Sequence, residues 1–250
     1  MRILSGRKAL ITGCNRGLGR RMLELFASEG ADIVACSRHR DDDYRSDMES
    51  VAGKHGVRIF RIFMDLADAA SVREALREVG RDHKDVSVLV NNAGIAFNAS
   101  FFMTPPSKLR ELFEVDFFAQ VEIMQSVARL MMRQGRGSII NIASAGAVEG
   151  GPGYLAYGSA KAALIYATKV LAREAGRYGV RANALAPGLA DTAMGHVKPE
   201  AEIGKVIART ALGRMADPSE IARCALFLAS DASSFVTGQV LLADGGRQAW

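Results

Sequence analysis

Cysteine is scarce: Cys14, Cys36 and Cys224 are the only three in 250 residues, far apart, odd in number and without a CxxC pair. That pattern argues against a disulfide framework and a thiolate metal site, so no metal is expected, and it fits a reducing compartment. No uninterrupted run of about 18 apolar residues occurs, so no membrane span is expected. The opening Met1-Arg2-Ile3-Leu4-Ser5-Gly6 lacks the long apolar stretch of a secretory signal, and a cytoplasmic location is the expectation. Charge of one sign is nearly absent as well, with a net +5 from 32 basic and 27 acidic residues. The dense basic groups, Arg16/Arg20/Arg21 and Arg38/His39/Arg40, have no interleaved aromatics and no zinc-finger spacing, which argues against nucleic acid as a partner. What remains is attraction for small anions, and both groups are expected beside a phosphate.

What is present is 49% hydrophobic and 24% charged residues, enough to bury a sizeable core without disorder. Short β-rich runs alternate with helical patterns. Strands are expected at Lys8–Thr12, Asp32–Cys36, Val57–Met64, Val86–Val90, Ser138–Ile142, Arg181–Ala186 and Gln239–Leu242. Helices are expected at Gly17–Gly30, Ser71–Arg81 with Ser71 as N-cap, Pro105–Gln134 closed by Gly135, Tyr157–Tyr178 and Pro218–Ser230. Near-continuous apolar strands alternating with helices predict an α/β fold, a parallel sheet covered on both faces. We expect a single Rossmann-type doubly wound domain over residues 1–250, with about seven strands in the order 3-2-1-4-5-6-7. Asp41-Asp42-Asp43 reads as a solvated loop. The weakly patterned stretch 189–212, with Gly195, Pro199 and Gly204, reads as a flexible substrate lid.

Between the first strand and first helix lies Thr12-Gly13-Cys14-Asn15-Arg16-Gly17-Leu18-Gly19. Its glycines permit a tight turn and close backbone approach to a pyrophosphate, and the helix start offers free N–H groups and a positive dipole end. The second strand ends in Cys36-Ser37-Arg38 instead of an acid, which would repel a 2′-phosphate. The Ser37 hydroxyl with the Arg16 and Arg38 guanidinium groups suits a dianionic phosphate. Tyr157 and Lys161 are four apart and share one helix face. A phenol titrates near ~10, and a neighbouring ammonium lowers that value toward the range useful for general acid–base work. Ser144 precedes Tyr157 by 13 positions, just after the fifth strand; its hydroxyl either stabilises charge on a carbonyl oxygen or caps a helix.

These motifs resemble the short-chain dehydrogenase/reductase family, and most closely its 3-oxoacyl-carrier-protein reductase branch. The resemblance spans essentially the whole chain. It rests on the TGxxxGxG loop, Asn91-Asn92-Ala93-Gly94, Tyr157-x-x-x-Lys161, Pro187-Gly188 and Asp244-Gly245-Gly246. It implies NADP(H) as cofactor, bound by Gly13, Asn15, Arg16, Gly17, Leu18, Gly19, Ser37 and Arg38, by Asp65 at the adenine with Leu66 beside it, and by Asn92, Ala93 and Gly94 near the ribose. Pro187, Gly188, Ala190 and Thr192 would close over the nicotinamide, Thr192 otherwise capping a helix, and Asn91 would pin strand ends. Ser144, Tyr157 and Lys161 would carry catalysis, Lys161 also holding the nicotinamide ribose. The family's relay Asn is replaced here by Asp116, whose charge opposes the effect of Lys161 on Tyr157.

The implied reaction is hydride transfer from NADPH to a carbonyl, of a 3-oxoacyl thioester in the branch it most resembles. A sugar or alcohol dehydrogenase and a weakly catalytic NADP sensor are the alternatives. Ala96, Phe97, Val148, Glu149, Tyr154, Met194 and His196 are placed to line the substrate space; most are apolar, which suits an acyl or cyclic ketone, while Glu149 adds an acid that a phosphopantetheine does not call for and leaves a hydroxylated substrate such as a sugar as the alternative. Partners are thus a small-molecule carbonyl or alcohol, carrier-protein-linked in the acyl case, and further copies of the chain, since family members form homo-oligomers, usually tetramers.

Overall fold

The computed structural model describes residues 2–197 and 200–247. All seven predicted strands are present: β1 (Lys8–Thr12), β2 (Asp32–Ser37), β3 (Ile59–Phe63), β4 (Val88–Asn91), β5 (Gly137–Ile142), β6 (Val180–Pro187) and β7 (Val240–Ala243). They pair in parallel in the order β3-β2-β1-β4-β5-β6-β7. β1, β4 and β5 are buried along their whole length, which is why apolar residues follow one another in them without a period-two alternation. One core lies under α1 (Gly17–Ser28) and α9 (Pro218–Ala229), with Met22, Phe26 and Ile221 packed on the sheet. The other lies under α3 (Ala69–Asp82), α5 (Ala119–Gln134) and α7 (Leu155–Ala175), with Leu76, Ile123 and Leu164. Strand order reverses between β1 and β4, so their C-terminal ends flank the crevice where ligands of such sheets bind.

Several expectations are corrected. Asp41-Asp42-Asp43 is the start of α2 (Asp42–His55), not a loop: the Asp41 carboxylate accepts the Tyr44 N–H at 2.8 Å, and the acids sit at the positive end of the helix dipole. The weak apolar stripe of α2, only Tyr44, Met48 and Val51 buried, hid the helix. Asp68, not Ser71, caps α3. The long helix expected at Pro105–Gln134 is present from Pro106 without a break, but it is not α-helical throughout. α4 (Pro106–Phe113) and α5 are joined by a π-helical turn at Glu114–Phe118, with Asp116 inside it; such turns recur at functional sites. The predicted lid contains α8 (Glu200–Ala208), while Lys198 and Pro199 lie outside the described residues. No helix among the described residues is long and apolar enough to cross a membrane.

Candidate active site

The crevice is built by cross-linking strand ends. Thr12 Oγ1 accepts the N–H groups of Asn92 and Ala93, both at 3.0 Å, and Asn92 Nδ2 donates to the Thr12 and Gly13 carbonyls at 2.9 and 3.1 Å. This clamp fixes where the glycine loop leaves β1. Gly13 has φ +67°, and a Cβ there would lie 2.8 Å from Ala93 Cα; a Cβ on Gly19 would lie 2.2 Å from the Gly13 carbonyl. Two glycines of the loop are therefore demanded by the chain's own packing. Gly19→Ala is expected to destabilise the protein by about 1–3 kcal/mol, the range for overpacking, measured by urea unfolding. Arg16 precedes α1 in an extended conformation without a side-chain cap, so the first-turn amides keep their capacity for an anion. Asn15 is half-buried beside them.

Beside the glycine loop and the end of β2, Arg16 and Arg38 are exposed, and among the described residues neither makes an ion pair. The rest of the two basic groups is committed elsewhere, contrary to expectation. Arg20 binds Asp47 and Glu24, Arg21 binds Glu24, and the Arg40 guanidinium stacks 3.9 Å from the Phe63 ring centroid. Ser37 is buried, and its Oγ accepts the His39 N–H at 3.1 Å, turning the chain so that Arg38 projects from the strand end. Asp65 Oδ1 accepts the Ala67 N–H at 3.0 Å and its own N–H donates to Ser71 Oγ, so this carboxylate shapes the turn after β3 while Leu66 is buried in the core.

Ser144, Tyr157, Lys161 and Asp116, the residues expected to carry catalysis, gather where β4, β5 and α7 meet. Ser144 caps α6 (Ala145–Glu149), its Oγ accepting the Gly146 N–H at 3.2 Å, and the same hydroxyl is near enough to Tyr157 to favour its ionised form. The capping reading of Ser144 is therefore the one the fold displays. Lys161 is buried, with Nζ 6.0 Å from the Tyr157 ring centroid and 3.8 Å from Asp116 Oδ1. Asp116 is wholly buried; Oδ1 accepts the Ile95 N–H at 3.1 Å, and Oδ2 has no hydrogen-bond partner among the described residues. A Cβ on Gly94 would stand 2.5 Å from Asp116 Oδ1 and 3.3 Å from Lys161 Nζ, so only glycine leaves room for the pair. Below it, Asn91 Nδ2 donates to Asn141 Oδ1 at 2.9 Å, Asn141 Nδ2 to Thr168 Oγ1 at 2.7 Å, and Gln120 Nε2 to the Ala93 carbonyl at 2.6 Å. These buried amides lock α5 and α7 to β4 and β5, and give Asn91 the pinning role expected of it.

Electrostatics here differ from the simple expectation. The Tyr157 hydroxyl is raised above the usual phenol range, first by burial and then by the negative Asp116, with Ser144 pulling the other way. The ring is only partly buried by surface area; the shift belongs to the hydroxyl, around which protein is packed. The Lys161 ammonium lies 3.8 Å from Asp116 Oδ1, so the cation expected beside the phenol is half of a buried pair. Burial in turn pushes the Asp116 carboxyl up, against the pull of Lys161.

On the far side, β6 ends at Pro187, the Gly188 N–H donates to the Ala243 carbonyl at 3.0 Å, and Ala190 is buried. Thr192 Oγ1 accepts the Gly195 N–H at 3.2 Å, and its Cγ2 lies 3.8 Å from where a Cβ on Gly17 would be. His196 pairs with Asp191 at 2.7 Å on the surface. Sequence reasoning missed Arg247, which meets Glu149 from the far end of the chain; no local pattern links the two.

A family model described as enoyl-(acyl carrier protein) reductase matches residues 13–248. A 3-oxoacyl-(acyl-carrier-protein) reductase of Thermotoga maritima is 35% identical over 97% of this chain and 98% of its own. A gluconate 5-dehydrogenase of Gluconobacter oxydans is also 35% identical, over 97% of this chain and 95% of its own. Among solved structures, a putative NAD(P)-dependent gluconate 5-dehydrogenase from Beutenbergia cavernae with bound NADP superposes with a TM-score of 0.91 at 36% identity, covering 97% of each chain. With the ordered motifs, the sheet order and this match along its length, the chain belongs to the short-chain dehydrogenase/reductase family of oxidoreductases acting on CH–OH and C=O groups.

Proposed function

We propose that the protein is an NADPH-dependent reductase of a small carbonyl compound. The observation that carries this reading is the gathering of Tyr157, Ser144 and Lys161 at the strand ends, with the phenol raised above its usual range by burial and by Asp116. A protonated phenol is a ready donor for reduction, whereas oxidation of an alcohol needs the phenolate. The residues present fit a nicotinamide dinucleotide. Arg16 and Arg38, which form no ion pair among the described residues, suit its 2′-phosphate, and the first amides of α1 its pyrophosphate. Thr12, Asn92 and Ala93 fix the loop, and Pro187, Gly188, Ala190 and Thr192 border the nicotinamide end. When bound, the reduced cofactor supplies a hydride to the carbonyl carbon. Ser144 Oγ donates to the carbonyl oxygen as its charge grows, Tyr157 delivers the proton to that oxygen, and Lys161 and Asp116 set the potential around the phenol. The NADP-bound gluconate 5-dehydrogenase neighbour supports the choice of cofactor. Exposed Phe118 and Tyr166 on the long helices support a homo-oligomer, dimer or tetramer. The test is NADPH and NADH oxidation with acetoacetyl thioesters, diketones and keto-sugars; no turnover with any of them overturns the reading.

Asp116 makes this site depend on pH in a defined direction. Reduction needs the phenol protonated, so the rate is present below the Tyr157 pKa and is lost as pH rises through it. Asp116→Asn removes a negative charge and lowers that pKa. The alkaline limb of kcat/KM against pH is expected to move to lower pH in the variant. Superimposable profiles would show that Asp116 has no electrostatic role.

A further inference from the structure

We propose that Glu149 and Arg247 form a substrate subsite for a hydroxyl a few bonds from the reacting carbonyl, so that the preferred substrate is a hydroxylated ketone and not an acyl thioester. The proposal rests on the reductase reading above and names its substrate class.

Glu149 ends the helix that Ser144 begins. Five residues at about 1.5 Å each place it roughly 7.5 Å along the axis from Ser144, a distance a short polyhydroxy ketone and two long side chains span together. Arg247 is brought there by the chain end. The Ala211 and Leu212 N–H groups donate to the Gly246 and Gly245 carbonyls at 3.3 and 3.1 Å, and Thr210 pairs with Arg247 in an antiparallel bridge. The tail is thereby laid against the segment that follows α8. Asp244 packs on Gly188 at the exit of β6. The pair is thus bordered by the lid segment and by the strand end beside the nicotinamide.

The Glu149 and Arg247 side chains are 10% and 6% exposed, and Glu149 Oε2 lies 3.2 Å from Arg247 Nε, yet among the described residues that oxygen has no hydrogen-bond donor. Burial raises the Glu149 carboxyl; Arg247 and Arg209 oppose this and Asp244 adds to it. A buried carboxylate oxygen without a donor is costly. A ligand hydroxyl satisfies it, since a hydroxyl donates to the carboxylate and accepts from a guanidinium at once. An anionic group would meet Glu149 and Asp244, and an acyl chain would leave Oε2 without a donor. Sites built to bind a substrate hydroxyl reject the analogue that lacks it by factors as large as 10⁴–10⁵.

Erythrulose, 2-butanone and acetoacetyl-N-acetylcysteamine, each with NADPH and the full chain, provide the test. The first two share a four-carbon skeleton and differ only in hydroxyls. The wild type is expected to prefer erythrulose to 2-butanone by about 10²-fold or more in kcat/KM. The Glu149→Leu/Arg247→Met double variant is expected to lose at least about tenfold of that preference. If the double variant does not fold, as judged by circular dichroism, Glu149→Gln carries the same comparison. A wild type that reduces 2-butanone or the thioester as well as erythrulose overturns the proposal. So does a preference unchanged in the folded variant, which would make the pair a lock for the tail alone. Failure to reduce any of the three overturns the reductase reading itself, and the subsite with it.

Discussion

Tyr157→Phe is expected to lower kcat for carbonyl reduction by about 10²–10⁴-fold, the usual contribution of a positioned general acid, while NADPH still binds. The ring remains and only the proton donor is removed. Its neighbours hold their places without it: Ser144 is kept by its cap on Gly146, and Lys161 by burial and by Asp116. The loss should therefore appear in the chemical step and not in cofactor affinity. Single-turnover NADPH oxidation gives the first quantity and fluorescence titration of NADPH the second. Residual turnover within about tenfold of wild type would mean that another group delivers the proton.

Arg38→Asp is expected to invert the cofactor preference. A charge-assisted hydrogen bond is worth about 1.5–3 kcal/mol, or roughly ten- to a hundredfold in affinity. The new carboxylate would also repel a 2′-phosphate and accept from a free 2′-hydroxyl. Arg38 is the lever because Ser37 spends its oxygen on the His39 amide, and Arg40 lies on Phe63. The ratio of kcat/KM with NADPH to that with NADH should fall by about 10²-fold or more, read from initial rates with each cofactor. An unchanged ratio would assign phosphate recognition to Arg16 or to backbone alone. Arg16→Ala in the same assay is expected to lower NADPH efficiency less, because the first-turn amides of α1 remain.

Some of this was written in the chain order. The strands declared themselves because both faces of the sheet are covered, so apolar residues follow one another without alternation. The glycine loop, Tyr157 with Lys161, and Ser144 were legible because each lies at a strand end or on a helix turn, where local spacing fixes relative position. α2 was not legible, since it buries only three side chains and its acidic start looks like a loop until the Asp41 cap is seen. The π-helical turn around Asp116 was hidden too, because an extra residue in a helix leaves no composition signal.

The sequence by itself determined the sheet, its order, the family and the residues that gather at the strand ends, all properties of neighbours along the chain. Only the tertiary structure decided what those residues do to one another. Asp116, 45 positions before Lys161, reaches it at 3.8 Å and turns the expected acidifying cation into half of a buried pair. Arg247, at the other end of the chain from the glycine loop, closes on Glu149. Charge acts through space and is weighted by burial, and neither quantity is written in local order.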